Sequence, residues 1–520
     1  MLFNSYDFAF IFLPIGLVGF WLLSSFRERW PLIIWLTFIS LAFYFFWSPS
    51  YLLLLLSSVA INWLIGELLS WQKRKSQTDS CSSTQCRLIL TIGIIFNLAL
   101  LGYFKYSNFL LSTLKGLGFS FNSIEGLILP LAISFYTFQQ ISYIADIFSG
   151  KSRSYSFNDY LLFVIFFPQL IAGPIVNPRE MISQFRRLHF GISAHNLSVG
   201  LTVFAVGLFK KTVIADSVSV YATPIFLSAD QGAQISFFIA WQASIAYAVQ
   251  LYFDFSGYSD MAIGLSKIFN IKLPINFFSP YKANSISDFW RRWHISLGRF
   301  LRDYLYIPLG GNRRGDSRHY VNLLITMLLG GLWHGANWTF VVWGGLHGLY
   351  LCVNHGWSQI LQRLGFVMND WYHHWLARML TLFSVIVSWV LFRAETLSGG
   401  WHIIVGMFGG SGFVLPESLY NQVGFLTNFG IQFGTLDSYC HIKGIVIILS
   451  ALALTLFSPN LYQFMSHEPI ALDVYAHLSD CKPAWYAWRP TLVYAFLTAL
   501  TLLVALVFCS QPSEFLYFQF

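Results

Sequence analysis

Charge is scarce in this chain: only 10% of its 520 residues are Asp, Glu, Lys or Arg, where a soluble domain carries about 25%. That shortage excludes a soluble globular protein and, with it, the disordered, collagenous and coiled-coil classes. Cysteine is thin as well. The six present (Cys81, Cys86, Cys352, Cys440, Cys481 and Cys509) are scattered, and Cys81 and Cys86 fall in a basic loop expected in the cytoplasm, where disulfides are disfavoured. They read as structural thiols, and no second Cys or His pair stands close enough in sequence to complete a zinc site. A Gly-x-Ser-x-Gly elbow, a Walker-type phosphate loop and a dinucleotide fingerprint are all missing, which removes support for hydrolase and ATPase readings. Tandem repeats and low-complexity linkers are missing too, so residues 1–520 read as one integral-membrane unit.

What fills the chain is apolar: 56% of residues are hydrophobic, with 52 Phe, 26 Tyr and 19 Trp. Spans of membrane-crossing length are readable at 8–26, 31–47, 51–71, 88–104, 127–148, 160–175, 197–214, 235–253, 321–353, 376–391, 442–457 and 491–509. The predicted fold class is therefore an all-α polytopic membrane protein. Segment 8–26 is preceded by Asp7 and by no Lys or Arg, unlike a cleavable signal peptide, so it is expected to stay. Leu129-Pro130, Phe167-Pro168 and Gly173-Pro174 interrupt apolar stretches. Irregular backbone at membrane depth survives only where protein or a water-filled cavity covers it, so re-entrant segments around a cavity are expected.

The balance of 31 Lys+Arg against 23 Asp+Glu, net +8, would suggest nucleic acid in a soluble protein. Here the basic residues gather in short loops, as the positive-inside rule requires, and no nucleic-acid partner is expected. Arg27-Glu28-Arg29 and Lys73-Arg74-Lys75, separated by the neutral turn Ser48-Pro49-Ser50, place both basic loops in the cytoplasm and the N-terminus outside. Lys210-Lys211 reads as a further topology signal, and Phe392-Arg393-Ala394-Glu395 as an ion-pair candidate at a span end.

One stretch is different. Residues 255–320 hold ten Lys or Arg against four Asp, three quarters of the net charge in one eighth of the length. Ser285-Ile286-Ser287-Asp288 has capping-box spacing, so a helix should begin there. Trp290, Trp293, Leu297, Phe300 and Tyr304 then recur at spacings of 3 and 4, which predicts one continuous helical stripe until Pro308 and Gly310-Gly311. Asp288 and Arg292, four apart, can pair. His294 sits on the edge of the stripe, either as a functional group or as a histidine satisfied by a backbone carbonyl. His334 lies in Gly330-Gly331-Leu332-Trp333-His334-Gly335-Ala336-Asn337-Trp338, inside the apolar run 321–353. An ionisable residue at that depth is a functional hypothesis by default. A neutral imidazole there can accept a proton, and Asn337 can orient the ring or hold a polar substrate. The bland alternative is a core histidine bonded between helices. His347 and His355 extend the region, but no acidic residue or cysteine joins them at ligand spacing, so no metal is expected.

These residues resemble a known family. Asp288-Phe289-Trp290-Arg291-Arg292-Trp293-His294-Ile295-Ser296, the following Leu301-Arg302-Asp303-Tyr304-Leu305-Tyr306-Ile307-Pro308-Leu309-Gly310-Gly311-Asn312-Arg313, and Gly331 to Trp338 are similar to the signature of membrane-bound O-acyltransferases, in particular the branch that O-acetylates alginate. Further likeness lies in Ser134-Phe135-Tyr136-Thr137-Phe138-Gln139-Gln140, Gly173-Pro174, residues 392–395 and the terminal Tyr517-Phe518-Gln519-Phe520. The resemblance implies a ring of transmembrane and re-entrant helices around a funnel or tunnel, with the catalytic polar segment at 255–345. It implies His334 as the catalytic histidine and His294 as its support. Trp333, Asn337, Asp288, Trp290, Arg291, Arg292 and Arg302 are the candidate substrate-binding residues, the arginines toward donor phosphates, an acidic carrier or lipid headgroups.

The activity implied is transfer of an acetyl group from a cytoplasmic thioester, acetyl-CoA or an acylated carrier protein, toward hydroxyls of an extracytoplasmic, alginate-like polysaccharide. It would work in a bacterial inner membrane with periplasmic acetyltransferase partners and surrounding lipid, and with no permanently bound cofactor. The alternative from another class is a glycan or lipid transporter or flippase, for which broken helices and an intramembrane histidine are also expected.

Overall fold

The computed structural model describes residues 2–26, 28–76, 84–188, 193–365, 371–434, 442–472, 484–510 and 516. Arg27, Cys81, Cys440, Cys481 and the terminal motif at 517–520 lie outside the described residues. The chain is almost wholly helical and polytopic, as its composition requires. Helices α1 (Leu13–Leu23), α2 (Trp30–Trp47), α3 (Pro49–Ser76), α4 (Thr84–Leu101) and α5 (Ser107–Gly116) come first, with a π-helical turn at Gly102–Tyr106 between the last two. Then follow α6 (Ile133–Phe148), α7 (Phe157–Ile165), α8 (Phe167–Leu170), α9 (Pro178–Arg186), α10 (Ala194–Phe209), α11 (Asp216–Ser219), α12 (Thr223–Asp230) and α13 (Phe237–Ile268). Two short helices, α14 (Ile286–Arg292) and α15 (Ile295–Leu301), precede α16 (Asp316–His334), α17 (Trp338–Arg363), α18 (Trp371–Arg393) and α19 (Leu397–Met407). The remainder comprises α20 (Tyr420–Val423), α21 (Ile442–Phe457), α22 (Leu461–Phe464) and α23 (Leu492–Phe508), beside a small parallel pair of strands at Val414–Pro416 and Gln432–Gly434. Among the described residues five helices are long and apolar enough to cross a membrane: Trp30–Trp47, Pro49–Lys75, Thr84–Gly116, Ala194–Ser219 and Trp371–Arg393.

Between helices in lipid there is little hydrophobic driving force, so close packing and polar contacts hold them. α10 and α13 meet through paired glycines. A Cβ on Gly207 would lie 2.7 Å from the Gly257 carbonyl oxygen, and one on Gly264 would lie 2.6 Å from that of Gly200. Polar side chains join α3, α4 and α6: the Asn62 amide donates to Asn97 Oδ1 (3.2 Å) and Gln140 Oε1 (3.0 Å), and the Ser58 hydroxyl donates to the same Gln140 oxygen (2.9 Å).

Four expectations are corrected. The stripe from Trp290 to Tyr304 is not one helix; it breaks at His294, whose φ of 44° lies in the left-handed region. Backbone bonds from outside hold the break, Ile295 N–H donating to Asn276 O (2.9 Å) and Phe278 N–H to Arg292 O (2.9 Å). The span at 235–253 does not end where the polar stretch begins: α13 continues to Ile268, buried almost throughout its length. Lys210 and Lys211 are no exposed topology signal. Lys211 is buried, with its ammonium 2.6 Å from Asp254 and 2.7 Å from Asp216, and Lys210 is 2.6 Å from Asp260. Carboxylates on α13 and at the head of α11 supply the counter-charge that a buried ammonium needs. Finally, Cys86 is buried and disulfide-bonded rather than a thiol.

Candidate active site

The run 321–353 is two antiparallel helices, α16 and α17, joined by the short link 335–337. Glycine makes this hairpin tight: a Cβ on Gly331 would lie 2.3 Å from the Phe340 carbonyl oxygen, and one on Gly344 would lie 2.3 Å from that of Met327. The hairpin leaves His334 as the last residue of α16, 5% exposed. Its ring lies edge-on to Trp333, Trp343 and Phe392, with centroids 5.0, 5.3 and 5.1 Å away. Nδ1 is buried without a protein hydrogen-bond partner.

His334 is not sealed. It lines a cavity of about 420 Å³ with Trp333, Lys105, Tyr51 and the irregular stretch from Ile128 to Ala132. The backbone interruption foreseen at Leu129-Pro130 is thus a cavity wall, where non-helical backbone is tolerated. Trp47 and Ser48 also line it, so the cavity belongs to the face of the Ser48 turn, opposite the Lys73-Arg74-Lys75 end of α3. Beyond His334, Phe138 stacks on Phe300 at 4.0 Å and on Trp333 at 5.1 Å. Past this stack a small polar pocket of about 100 Å³ is lined by Ser142, Ser296, Arg299, Asp303 and Tyr304.

His294 is fully buried, its ring centroid 6.3 Å from that of His334. Its Nδ1 lies 3.1 Å from Asn276 Oδ1, and because that oxygen only accepts, Nδ1 carries the proton. The same Oδ1 accepts from the Ser296 hydroxyl (2.9 Å), while the Asn276 amide donates to Ser259 (3.2 Å). His347 forms a third buried position. Its Nδ1 accepts from the Trp290 indole (3.3 Å), which leaves Nε2 to donate to the Ser388 hydroxyl (2.8 Å). His355 stands apart beside His319, with centroids 5.2 Å apart.

Of the candidate residues, the structure gathers His334, His294 and Trp333 and places the rest elsewhere. Trp290 supports His347 and lines neither the 420 Å³ cavity nor the polar pocket. Asn337 is spent on backbone: its Oδ1 accepts from Thr339 N–H (3.1 Å) and its amide donates to Glu395 O (2.7 Å), capping α17. Asp288 pairs with Arg292 as its spacing foretold (2.8 Å), and Ser285 caps α14. Arg302 pairs with Asp303 (2.8 Å), and Arg291 is exposed. Residues 392–395 hold no Arg393–Glu395 ion pair. The Arg393 guanidinium lies over the Phe226 ring, 5.7 Å from its centroid, with one long contact to Thr223 Oγ1 (3.5 Å).

Sequence reasoning missed Asn276 and Lys105. Lys105 sits in the π-helical turn and is buried, its ammonium donating to Trp333 O (2.5 Å), Ser134 Oγ (3.2 Å) and His334 O (3.4 Å). The signal was present, a lone cation in an apolar run, but the span was ended one residue short of it.

A buried imidazole thus lies between a 420 Å³ cavity and, across the aromatic stack, a small polar pocket. Residues 148–393 match the family model described as MBOAT, membrane-bound O-acyltransferase family. The chain is 43% identical over 443 residues to the peptidoglycan O-acetyltransferase of Helicobacter pylori, covering 80% of this chain and 81% of that protein. It is 38% identical over 441 residues to the probable alginate O-acetylase AlgI of Pseudomonas aeruginosa (84% and 79% covered), and 36% identical over 528 residues to that of Pseudomonas putida (100% of both). The chain belongs to the membrane-bound O-acyltransferase family. It is an enzyme, an O-acyltransferase.

Proposed function

We propose that this chain moves an acetyl group from a cytoplasmic thioester, acetyl-CoA or an acylated carrier protein, to a hydroxyl of an extracytoplasmic polysaccharide, with an alginate-like exopolysaccharide favoured. The observation that carries the reading is the position of His334, on the wall of the 420 Å³ cavity and next to the stacked rings that separate it from the polar pocket. Helix α6 measures the separation: Ser134 lines the cavity and Ser142 the pocket, and eight residues of helix span about 12 Å. The acceptor reading is supported by relatives named for alginate and peptidoglycan O-acetylation.

In the proposed step the His334 imidazole takes the proton of the acceptor hydroxyl. The oxygen attacks the thioester carbonyl, a C–O bond forms, the C–S bond breaks, and the leaving thiolate recovers the proton. A positioned base contributes about 10²- to 10⁴-fold, so orientation within the aromatic surround supplies the remainder. His294, fixed by Asn276, and Lys105, on the His334 carbonyl, hold the end of α16. Trp333 and the arginines at 291, 292 and 302 remain the proposed substrate contacts, the arginines at the donor's surface. The proposed setting is a bacterial inner membrane with the N-terminus and the Ser48 turn periplasmic, working with periplasmic acetyltransferase proteins.

The test is turnover of a labelled acetyl thioester by purified protein in detergent with alginate and peptidoglycan oligosaccharides and no ion gradient. Labelled ester on the glycan is expected. Gradient-dependent movement of glycan across a vesicle without ester formation would instead establish the transporter reading.

A further inference from the structure

A second cavity adjoins the first, about 650 Å³ in volume, with Lys105 and Leu129 in the walls of both. Its size is within the roughly 300–1,000 Å³ of ligand sites. Its polar lining consists of Lys105, Arg393, Glu395, Asn108 and Asn337. The two amides are already engaged by backbone: Asn108 accepts from Ile124 N–H (2.8 Å) and donates to Ile124 O (3.2 Å), and Asn337 caps α17. Glu395, the one carboxylate in the lining, is exposed and makes no ion pair with Arg393.

That leaves two buried basic side chains, the Arg393 guanidinium and the Lys105 amine. Arg393 is 6% exposed and Lys105 9%, Arg393 Nε has no hydrogen-bond partner, and among the described residues no carboxylate pairs with either. Lys210 and Lys211, also deep in the protein, are matched by Asp260, Asp254 and Asp216. A buried charge needs a partner, and a guanidinium's forked donors fit a carboxylate.

We infer that the 650 Å³ cavity binds a carboxylate of the acceptor glycan, the charged group of an acidic sugar, through Arg393 and Lys105. Because Lys105 also touches the His334 carbonyl, a glycan anchored here presents a neighbouring hydroxyl to the imidazole. The inference rests on the acyl-transfer reading for the identity of its ligand, not for the existence of the site.

Binding by the full chain in detergent tests it, using titration calorimetry with an alginate tetrasaccharide and with the same tetrasaccharide reduced at its carboxyls to a neutral sugar. The unmodified protein is expected to bind the charged form about ten-fold or more tightly than the neutral one. Arg393→Met and Lys105→Met should each remove most of that preference while binding of the neutral form is unchanged. Equal affinity of the unmodified protein for both sugars overturns the inference, whether or not the variants fold. His334→Ala should keep the preference. Preference retained with no acetyl transfer by any form would fell the acyl-transfer reading alone; transfer that needs His334 but shows no preference would fell this inference alone.

Discussion

The α16–α17 hairpin sets the position of His334, and a single methyl group tests how tightly. In Gly344→Ala the new Cβ would stand 2.3 Å from the Met327 carbonyl oxygen and 3.1 Å from Gly331 Cα, against an ordinary contact of 3.4–4 Å. Backbone blocks it on both sides, so the two helices must part by about 1 Å, an overpacking that costs about 1–3 kcal/mol. Because His334 ends α16, its imidazole moves with the helix, and a displacement of about 1 Å at a reacting group costs about 10²-fold in rate. The next residue provides the control. In Gly345→Ala the Cβ meets only a side-chain methyl, Leu328 Cδ2 at 3.3 Å, which can turn aside, and alanine is the better helix former by about 1 kcal/mol. Thermal unfolding in detergent and acetyl transfer from a thioester, measured side by side, should show Gly344→Ala less stable and about 10²-fold slower, while Gly345→Ala matches the unmodified enzyme in rate and is at least as stable. Equal behaviour of the two variants would refute the claim that this glycine contact positions the histidine.

Removing the Lys211 ammonium in Lys211→Met leaves the buried carboxylates of Asp254 and Asp216 uncompensated, and the loss should be about 3–5 kcal/mol; combining it with Asp254→Asn and Asp216→Asn should recover much of the lost thermal stability. Asn276→Ala strips partners from His294 and Ser296 and should lower stability by about 1–3 kcal/mol, with kcat reduced more than KM changes if His294 supports the reaction. Arg302→Ala, at an exposed pair with Asp303, should alter stability by less than about 1 kcal/mol. Its effect should instead fall on the salt dependence of donor KM, and an unchanged KM at low ionic strength would remove Arg302 from donor binding.

Local signals were legible in the residue order, and non-local ones were not. Apolar runs, the Ser285 cap, the Asp288–Arg292 pair and the Leu129-Pro130 interruption at the cavity wall all follow from short-range chemistry. The break at His294 could not be read, because the 3-and-4 spacing continues smoothly across it and the bonds that hold it come from Asn276 and Phe278, more than ten residues earlier. Lys210 and Lys211 were misjudged for the same reason: their carboxylates lie mainly on α13, about 45 residues on in the chain. His334 stood out because an ionisable group in an apolar run is costly anywhere. Asn337 and Trp290, close to the histidines in sequence, face other duties, Asn337 because α16 ends at His334 and a new helix needs a cap, Trp290 because its indole faces His347.

The most direct measurement of the central claim is acetyl transfer by folded His334→Ala protein with and without added imidazole. A base in an accessible cavity predicts a rate about 10²- to 10⁴-fold below that of the unmodified enzyme, partly restored as free imidazole enters the space the side chain vacated. Transfer at an undiminished rate by His334→Ala would contradict it.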